Sequence, residues 1–207
     1  MTTRLLLIRH GESGWNRSRR LQGCLDSNLS RRGRLQAMAL RGRLKDVRFK
    51  ELWASPLGRT LETAQIIGEG FTGTIRTHTG LQEIDYGEWQ GQPVSAIERT
   101  YRAWLRNPLG GTPPKGESLR RFVKRVGATL DQIVASRGTL GIVTHGGVIR
   151  AALCYYFRFP LQKFWWLTVD NVSITEIGIE KGEARLYRFN DFAHVLTDHG
   201  DCSMLMM

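Results

Sequence analysis

The pattern of apolar and polar positions divides the chain into short hydrophobic runs alternating with amphipathic stretches. Arg4-Leu-Leu-Leu-Ile8 is a continuous apolar run, as expected of a strand buried on both faces of a parallel sheet. Ser30 precedes a helical stretch running to about Leu44, and Glu51-Leu-Trp-Ala54 reads as a second strand. Ser55-Pro56 predicts a helix start, because serine can cap the first free N–H groups and proline fits the first helical position. Leu57, Leu61, Ala64 and Ile67 then recur at helical spacing, and Gly68 supplies a stop.

Thr74 to His78 reads as a third strand. Residues 80–117, rich in Gly, Pro and Trp, read as an irregular insertion or lid. The clearest helix is Ser118 to Ser136, where Leu119, Phe122, Val123, Val126, Leu130, Ile133 and Val134 form one apolar stripe opposite arginines and lysine. A strand at Thr139 to Val143, the pair Gly146-Gly147 and a helix from Val148 to about Phe157 form another β-turn-α unit. Val172 to Ile179 and Ala184 to Phe189, joined by Glu-Lys-Gly, read as an edge hairpin. Strands alternating with helices predict an α/β layered fold around a mostly parallel sheet.

The 207 residues suit one core better than two, and 41% hydrophobic with 24% charged residues excludes a disordered or fibrous chain. No apolar run approaches the roughly 18 residues of a membrane span, and the N-terminal run is too short for a signal peptide, so a cytoplasmic protein with no membrane partner is expected. Cys24, Cys154 and Cys202 are odd in number and share no CxxC spacing, which predicts reduced thiols and no structural metal. The formal net charge of +11 admits nucleic acid, an anionic membrane face, steering of small anions, or a solvated Arg-rich surface. Charge by itself does not choose among them.

Arg9-His10-Gly11-Glu12 follows the first buried strand directly, where open α/β folds bind ligands. Thr144-His145-Gly146-Gly147 repeats that arrangement ahead of a helix whose free N–H groups suit an anion. One such histidine would be an ordinary strand-end residue. Two at two strand ends, with Arg9 beside one and Arg59 in the first turn of another helix, suggest one pocket. Bidentate guanidinium contacts suit a dianionic phosphoryl group, and nearby arginines keep an imidazole neutral and nucleophilic. Phosphoryl transfer also needs a proton for the leaving alkoxide. Glu83, Asp85 and Glu88 all have the residue type for that task, and the pattern does not choose among them.

Four motifs together resemble the histidine phosphatase superfamily, also called phosphoglycerate mutase-like. They are Arg9-His10-Gly11-Glu12, Ser55-Pro56-Leu57-Gly58-Arg59-Thr60, Glu83 within Glu-x-x-Tyr-Gly-x-Trp-x-Gly, and Thr144-His145-Gly146-Gly147. The resemblance spans roughly residues 4–175 in the family's order. It implies a three-layer α/β/α sandwich forming a single domain over residues 1–207, with a small lid insertion at about 84–117. It further implies His10 as the phosphorylated nucleophile, Arg9, Arg59 and His145 as phosphate ligands, and Glu83 as the proton donor. Asn16 and the Gly146 backbone match lesser phosphate contacts, and Tyr86 belongs to the Glu83 motif as a substrate contact. Trp89 and a compact lid ending at Gly116-Glu117-Ser118-Leu119 resemble the phosphatase branch more than the mutases. So do Lys163-Phe164-Trp165 and Asp170-Asn171-Val172-Ser173. The expectation is therefore a phosphatase for small phosphomonoesters needing no metal or other cofactor, with a cofactor-dependent phosphoglycerate mutase as alternative. A homodimer is compatible with it.

Three other signals carry less. Gly68-Glu-Gly70-Phe-Thr-Gly73 satisfies GxGxxG but follows a helix and precedes a strand, the reverse of the dinucleotide motif. His78, His194 and His199 lack metal-ligand spacing, although His194 resembles a pocket-edge histidine of some family phosphatases. The basic stretch from Arg17 to Lys50 offers a nucleic-acid-binding module as the non-enzyme alternative, but its arginines are not interleaved with stacking aromatics, so no nucleic-acid partner is expected.

Overall fold

The computed structural model describes residues 2–196, which leaves Cys202, His199 and the segment from Thr197 outside the described residues. Six strands form one sheet: β1 (Thr3–Arg9), β2 (Glu51–Ala54), β3 (Ile75–Thr77), β4 (Thr139–Thr144), β5 (Ile174–Glu180) and β6 (Glu183–Asp191). Their spatial order is β3-β2-β4-β1-β5-β6. The first four strands of that order are mutually parallel, and β5 and β6 run antiparallel at the far edge. The helices are α1 (Gly14–Arg17), α2 (Arg31–Leu44), α3 (Gly58–Ile67), α4 (Glu98–Arg106), α5 (Leu119–Val134), α6 (Gly146–Phe157) and α7 (Ala193–Leu196).

The continuous apolar run of β1 serves two cores at once. Leu5 and Leu7 join Phe122, Val126, Leu130 and Ile149 from α5 and α6, whereas Leu6 and Ile8 join Leu40, Leu44, Ala64 and Ile67 from α2 and α3. Alternate residues of a strand point to opposite faces, so helices cover both sides of the sheet and the layers are α/β/α, as expected. The β5–β6 hairpin turns through Lys181 and Gly182, both with positive φ (50° and 83°), the two-residue geometry that matches strand twist.

Three local expectations are corrected. The helix expected at Ser55-Pro56 begins at Gly58, with Leu57 at its N-cap and no capping bond from that residue's side chain. Its first N–H groups are capped from a distant loop: Gly58 N and Arg59 N both donate to the Asp26 carboxylate. Ser55 is thereby free for a different partner. The stretch 80–117 is not wholly irregular, since α4 places Tyr101, Trp104 and Leu105 against the core and Arg99, Arg102 and Arg106 outward. The helix expected from Val148 begins at Gly146, so both glycines lie within its first turn.

Candidate active site

Sheet register brings the two histidines together. Arg9 pairs with Thr144 across parallel β1 and β4, so the residues that follow, His10 and His145, leave the sheet side by side. Their rings lie edge to face with centroids 5.3 Å apart, and both are buried. Ala54 pairs with Val143 on the other side of β4. This puts Ser55 Oγ 2.9 Å from His145 Nε2.

The His10 backbone is held from three directions. Its N–H donates to Thr144 O at 2.9 Å, its carbonyl accepts from Asn171 Nδ2 at 2.9 Å, and Val172 N, which donates to Arg9 O at 3.0 Å, also reaches His10 O at 3.4 Å. Val172 adopts φ 55°, a left-handed conformation costly for a β-branched residue and therefore imposed by its surroundings. His10 Nδ1 lies 2.7 Å from Gly11 O, an acceptor only. The proton therefore sits on Nδ1, and Nε2 carries the lone pair. Gly11 permits this turn because a Cβ there would collide with the Gly33 backbone of α2.

Arg59 enters from the first turn of α3 and is almost wholly buried. Nη1 donates to Leu25 O (2.7 Å) and Nη2 to Gly23 O (2.7 Å), with Asp26 Oδ1 3.3 Å from Nη1. Arg9 Nη1 donates to Val169 O at 2.6 Å. These contacts fix both guanidinium groups yet leave Arg9 Nε and Arg59 Nε buried with no acceptor among the described residues, and the buried His145 Nδ1 likewise has no partner there. Buried donors without acceptors are costly, and two guanidinium N–H groups in one cluster mark a place built for an anion's oxygens.

The electrostatics agree. Burial first, then Arg59 and Arg9, hold the His10 imidazole well below its ordinary range, and burial followed by Arg59 and His10 does the same to His145. Burial and the neighbouring Arg150 lower Arg9 to about 10. Two guanidinium charges thus meet here, of which Arg59 is paired with Asp26.

Of the three acidic candidates, only Glu83 reaches the helix that follows His145. Its Oε2 accepts from Gly147 N at 3.0 Å and its Oε1 from Ile84 N at 2.9 Å. Asp85 instead accepts from Gly87 N in a local turn, and Glu88 pairs with exposed Lys115. Asn16 closes the capping box of α1, its Oδ1 accepting from Ser13 N at 3.1 Å, and Nδ2 makes no hydrogen bond to a described residue. Tyr86 is buried in an aromatic group with Tyr101 and Trp104, and burial raises its phenol well above the ordinary range. Half-buried His194 lies near Asp191 and Arg43 and hydrogen-bonds the Val172 backbone, next to the residues that hold His10. Among the described residues no group of His, Cys, Asp and Glu could hold a metal ion.

Two arginines escaped sequence reasoning. Arg125 grips Glu117 through Nε (3.1 Å) and Nη2 (2.7 Å), and donates to the carbonyls of Gly80, Gln82 and Glu83. It thus ties the segment bearing Glu83 to α5. Arg150 lies one turn beyond Gly146 on α6, over the Trp165 ring at 5.2 Å. Its only signal in the sequence was a four-residue spacing from Gly146.

The chain belongs to the histidine phosphatase superfamily (branch 1), whose profile matches residues 5–192. It is 33% identical to phosphoserine phosphatase 1 of Hydrogenobacter thermophilus, over 93% of this chain and 94% of that protein. It is 32% identical to the Proteus mirabilis protein named "Probable phosphoglycerate mutase GpmB", over 83% of this chain and 82% of that one. Among solved structures, mycobacterial glucosyl-3-phosphoglycerate phosphatase in complex with VO3 superposes with a TM-score of 0.84 at 30% identity, covering 91% of this chain and 98% of that one.

Proposed function

We propose that the protein hydrolyses small phosphomonoesters through a phosphohistidine on His10, with residues 84–117 serving as a lid on a single-domain phosphatase. The observation that carries this reading is the pair of buried guanidinium donors with no acceptor among the described residues, Arg9 Nε and Arg59 Nε, with the equally unpartnered His145 Nδ1 beside them, gathered around an imidazole whose Nε2 is unprotonated. A phosphoryl group supplies oxygens for those donors and an electrophile for that lone pair. Relatives named as phosphoserine phosphatase and glucosyl-3-phosphoglycerate phosphatase support it.

In this reading Nε2 of His10 attacks phosphorus in line as the ester P–O bond breaks, and the Glu83 carboxyl gives its proton to the departing alkoxide. Water then attacks the phosphohistidine, returning a proton to Glu83 and releasing inorganic phosphate with a neutral His10. Arg9, Arg59 and His145 bind the phosphoryl oxygens, with Asn16, the Gly146 amide and Tyr86 as further contacts. The charge of the transition state is balanced by guanidinium groups, which is the role a metal would fill elsewhere. The cytoplasm is the proposed location; the structure adds that no described helix is long and apolar enough to cross a membrane.

The similarity to a protein named as a phosphoglycerate mutase favours one alternative, transfer of the phosphoryl group between hydroxyls of a phosphoglycerate. Assay of free phosphate from a phosphomonoester panel, with and without 2,3-bisphosphoglycerate, separates the two. Phosphate release without the bisphosphate is expected. Interconversion that requires it, with little free phosphate, would establish the mutase.

A further inference from the structure

Arg150 is a cation that the mechanism above does not use. Its Nε donates to Leu167 O at 2.6 Å and its guanidinium lies over Trp165, so the side chain is anchored along one edge and one face. Neither Nη nitrogen hydrogen-bonds a described residue, and no carboxylate among the described residues forms an ion pair with it. Glu83 is the carboxylate that acts on it most strongly, yet Glu83 already accepts two backbone N–H groups.

The free edge faces the phosphate cluster. A Cβ on Gly146 would lie 3.1 Å from Arg150 Nη1 and 3.7 Å from Arg9 Nε, so both guanidinium groups approach one point and these two nitrogens are at most about 6.8 Å apart. Arg9 and Arg59 already face the two charges of a phosphoryl dianion. Glu83, Tyr86, Tyr101 and Asp170 are the groups whose charges act on Arg150, so it shares the neighbourhood of Glu83, where the alcohol of the ester must leave if Glu83 protonates it.

We propose that Arg150 determines specificity by binding a carboxylate carried on the leaving alcohol, so that the favoured substrates are phosphomonoesters of hydroxy acids. The inference rests on the phosphatase reading above. A guanidinium with both Nη groups free matches a planar carboxylate in a bidentate pair, and the reach to Arg9 suits a phosphate and a carboxylate held on the same two- or three-carbon unit. An ester with a neutral alcohol leaves those half-buried donors to be partnered by water alone and forfeits the pair.

Matched substrates test this: phosphoserine against phosphoethanolamine, and 3-phosphoglycerate against glycerol 3-phosphate. The unaltered protein should favour each carboxylate member by about tenfold or more in kcat/KM, and Arg150→Met should remove most of that preference while Arg150→Lys keeps part of it. The ratio is taken within each protein, so a lower folded fraction cancels. A ratio near one in the unaltered protein, an unchanged ratio in Arg150→Met, or equal losses on both members would overturn the proposal. Calorimetric binding of the same pairs to His10→Ala, with and without Arg150→Met, repeats the comparison without turnover. Failure of the unaltered protein to release phosphate from any substrate would then sink the phosphatase reading, while the binding ratio still decides the role of Arg150.

Discussion

Gly147 and Glu83 fit only because position 147 has no side chain: the Gly147 amide donates to Glu83 Oε2 at 3.0 Å, and a Cβ would run into the same carboxylate. Gly147→Ala should therefore displace the proposed proton donor, Glu83, without touching the proposed nucleophile, His10. The expected loss is about 10²-fold or more in kcat on an alkyl phosphate and distinctly less on p-nitrophenyl phosphate, whose leaving group needs little protonation. Glu83→Gln should show the same leaving-group dependence. Equal losses on both substrates would remove Glu83 from the role of acid.

A phosphohistidine is labile in acid and stable in base. Rapid quench with labelled substrate should trap a base-stable label on His10, and His10→Ala should abolish label and turnover together. Label at any other residue contradicts the proposed nucleophile.

Arg125 and Glu117 form a pair that is mostly out of solvent, with the guanidinium also serving three carbonyls ahead of Ile84. Arg125→Ala leaves that carboxylate and those carbonyls without their donor, at a cost of about 2–4 kcal/mol in unfolding free energy, partly offset by water. Because it loosens the Glu83 segment, the remaining folded enzyme should lose more rate on alkyl than on aryl phosphates. Denaturant unfolding and the two-substrate comparison check the two effects separately.

Both buried histidines are held well below their ordinary 6.5. Below that pH the unfolded chain takes up protons that the buried imidazoles refuse, so the unfolded state binds more protons and stability falls as the pH is lowered. Above it the two residues contribute no slope. The decline in Tm between about pH 7 and pH 5 should shrink when both are replaced by asparagine. NMR titration of His10 at an ordinary imidazole midpoint would contradict the burial argument.

Turnover should survive EDTA, because arginine and histidine side chains do the work of charge stabilisation, and orthovanadate should compete with substrate as a mimic of the transferring phosphoryl group. Loss of activity on chelation, restored by a divalent metal, would overturn this.

Much of the protein follows from the sequence by itself. The apolar run at 4–8 dictates a strand buried on both faces, the stripe at 119–133 dictates a helix with one buried face, and His10, Arg59 and His145 each stand just past a strand, where a parallel sheet exposes its ends. These are local signals, set by periodicity and by turn chemistry. What only the tertiary structure decided was pairing across long separations. Ser55 has the chemistry of a helix cap, but the β2–β4 register delivers its hydroxyl to His145, and Asp26 caps the helix instead. Glu83, Asp85 and Glu88 are equivalent by residue type, and Glu83 alone meets Gly147 because Arg125 and the start of α6 converge on its segment. Arg150 looks like any helix arginine in a basic chain until its place over Trp165 and beside Gly146 leaves it a charge with no ion-pair partner among the described residues. Desolvation and partnership are properties of surroundings, and surroundings exist only once the chain has folded.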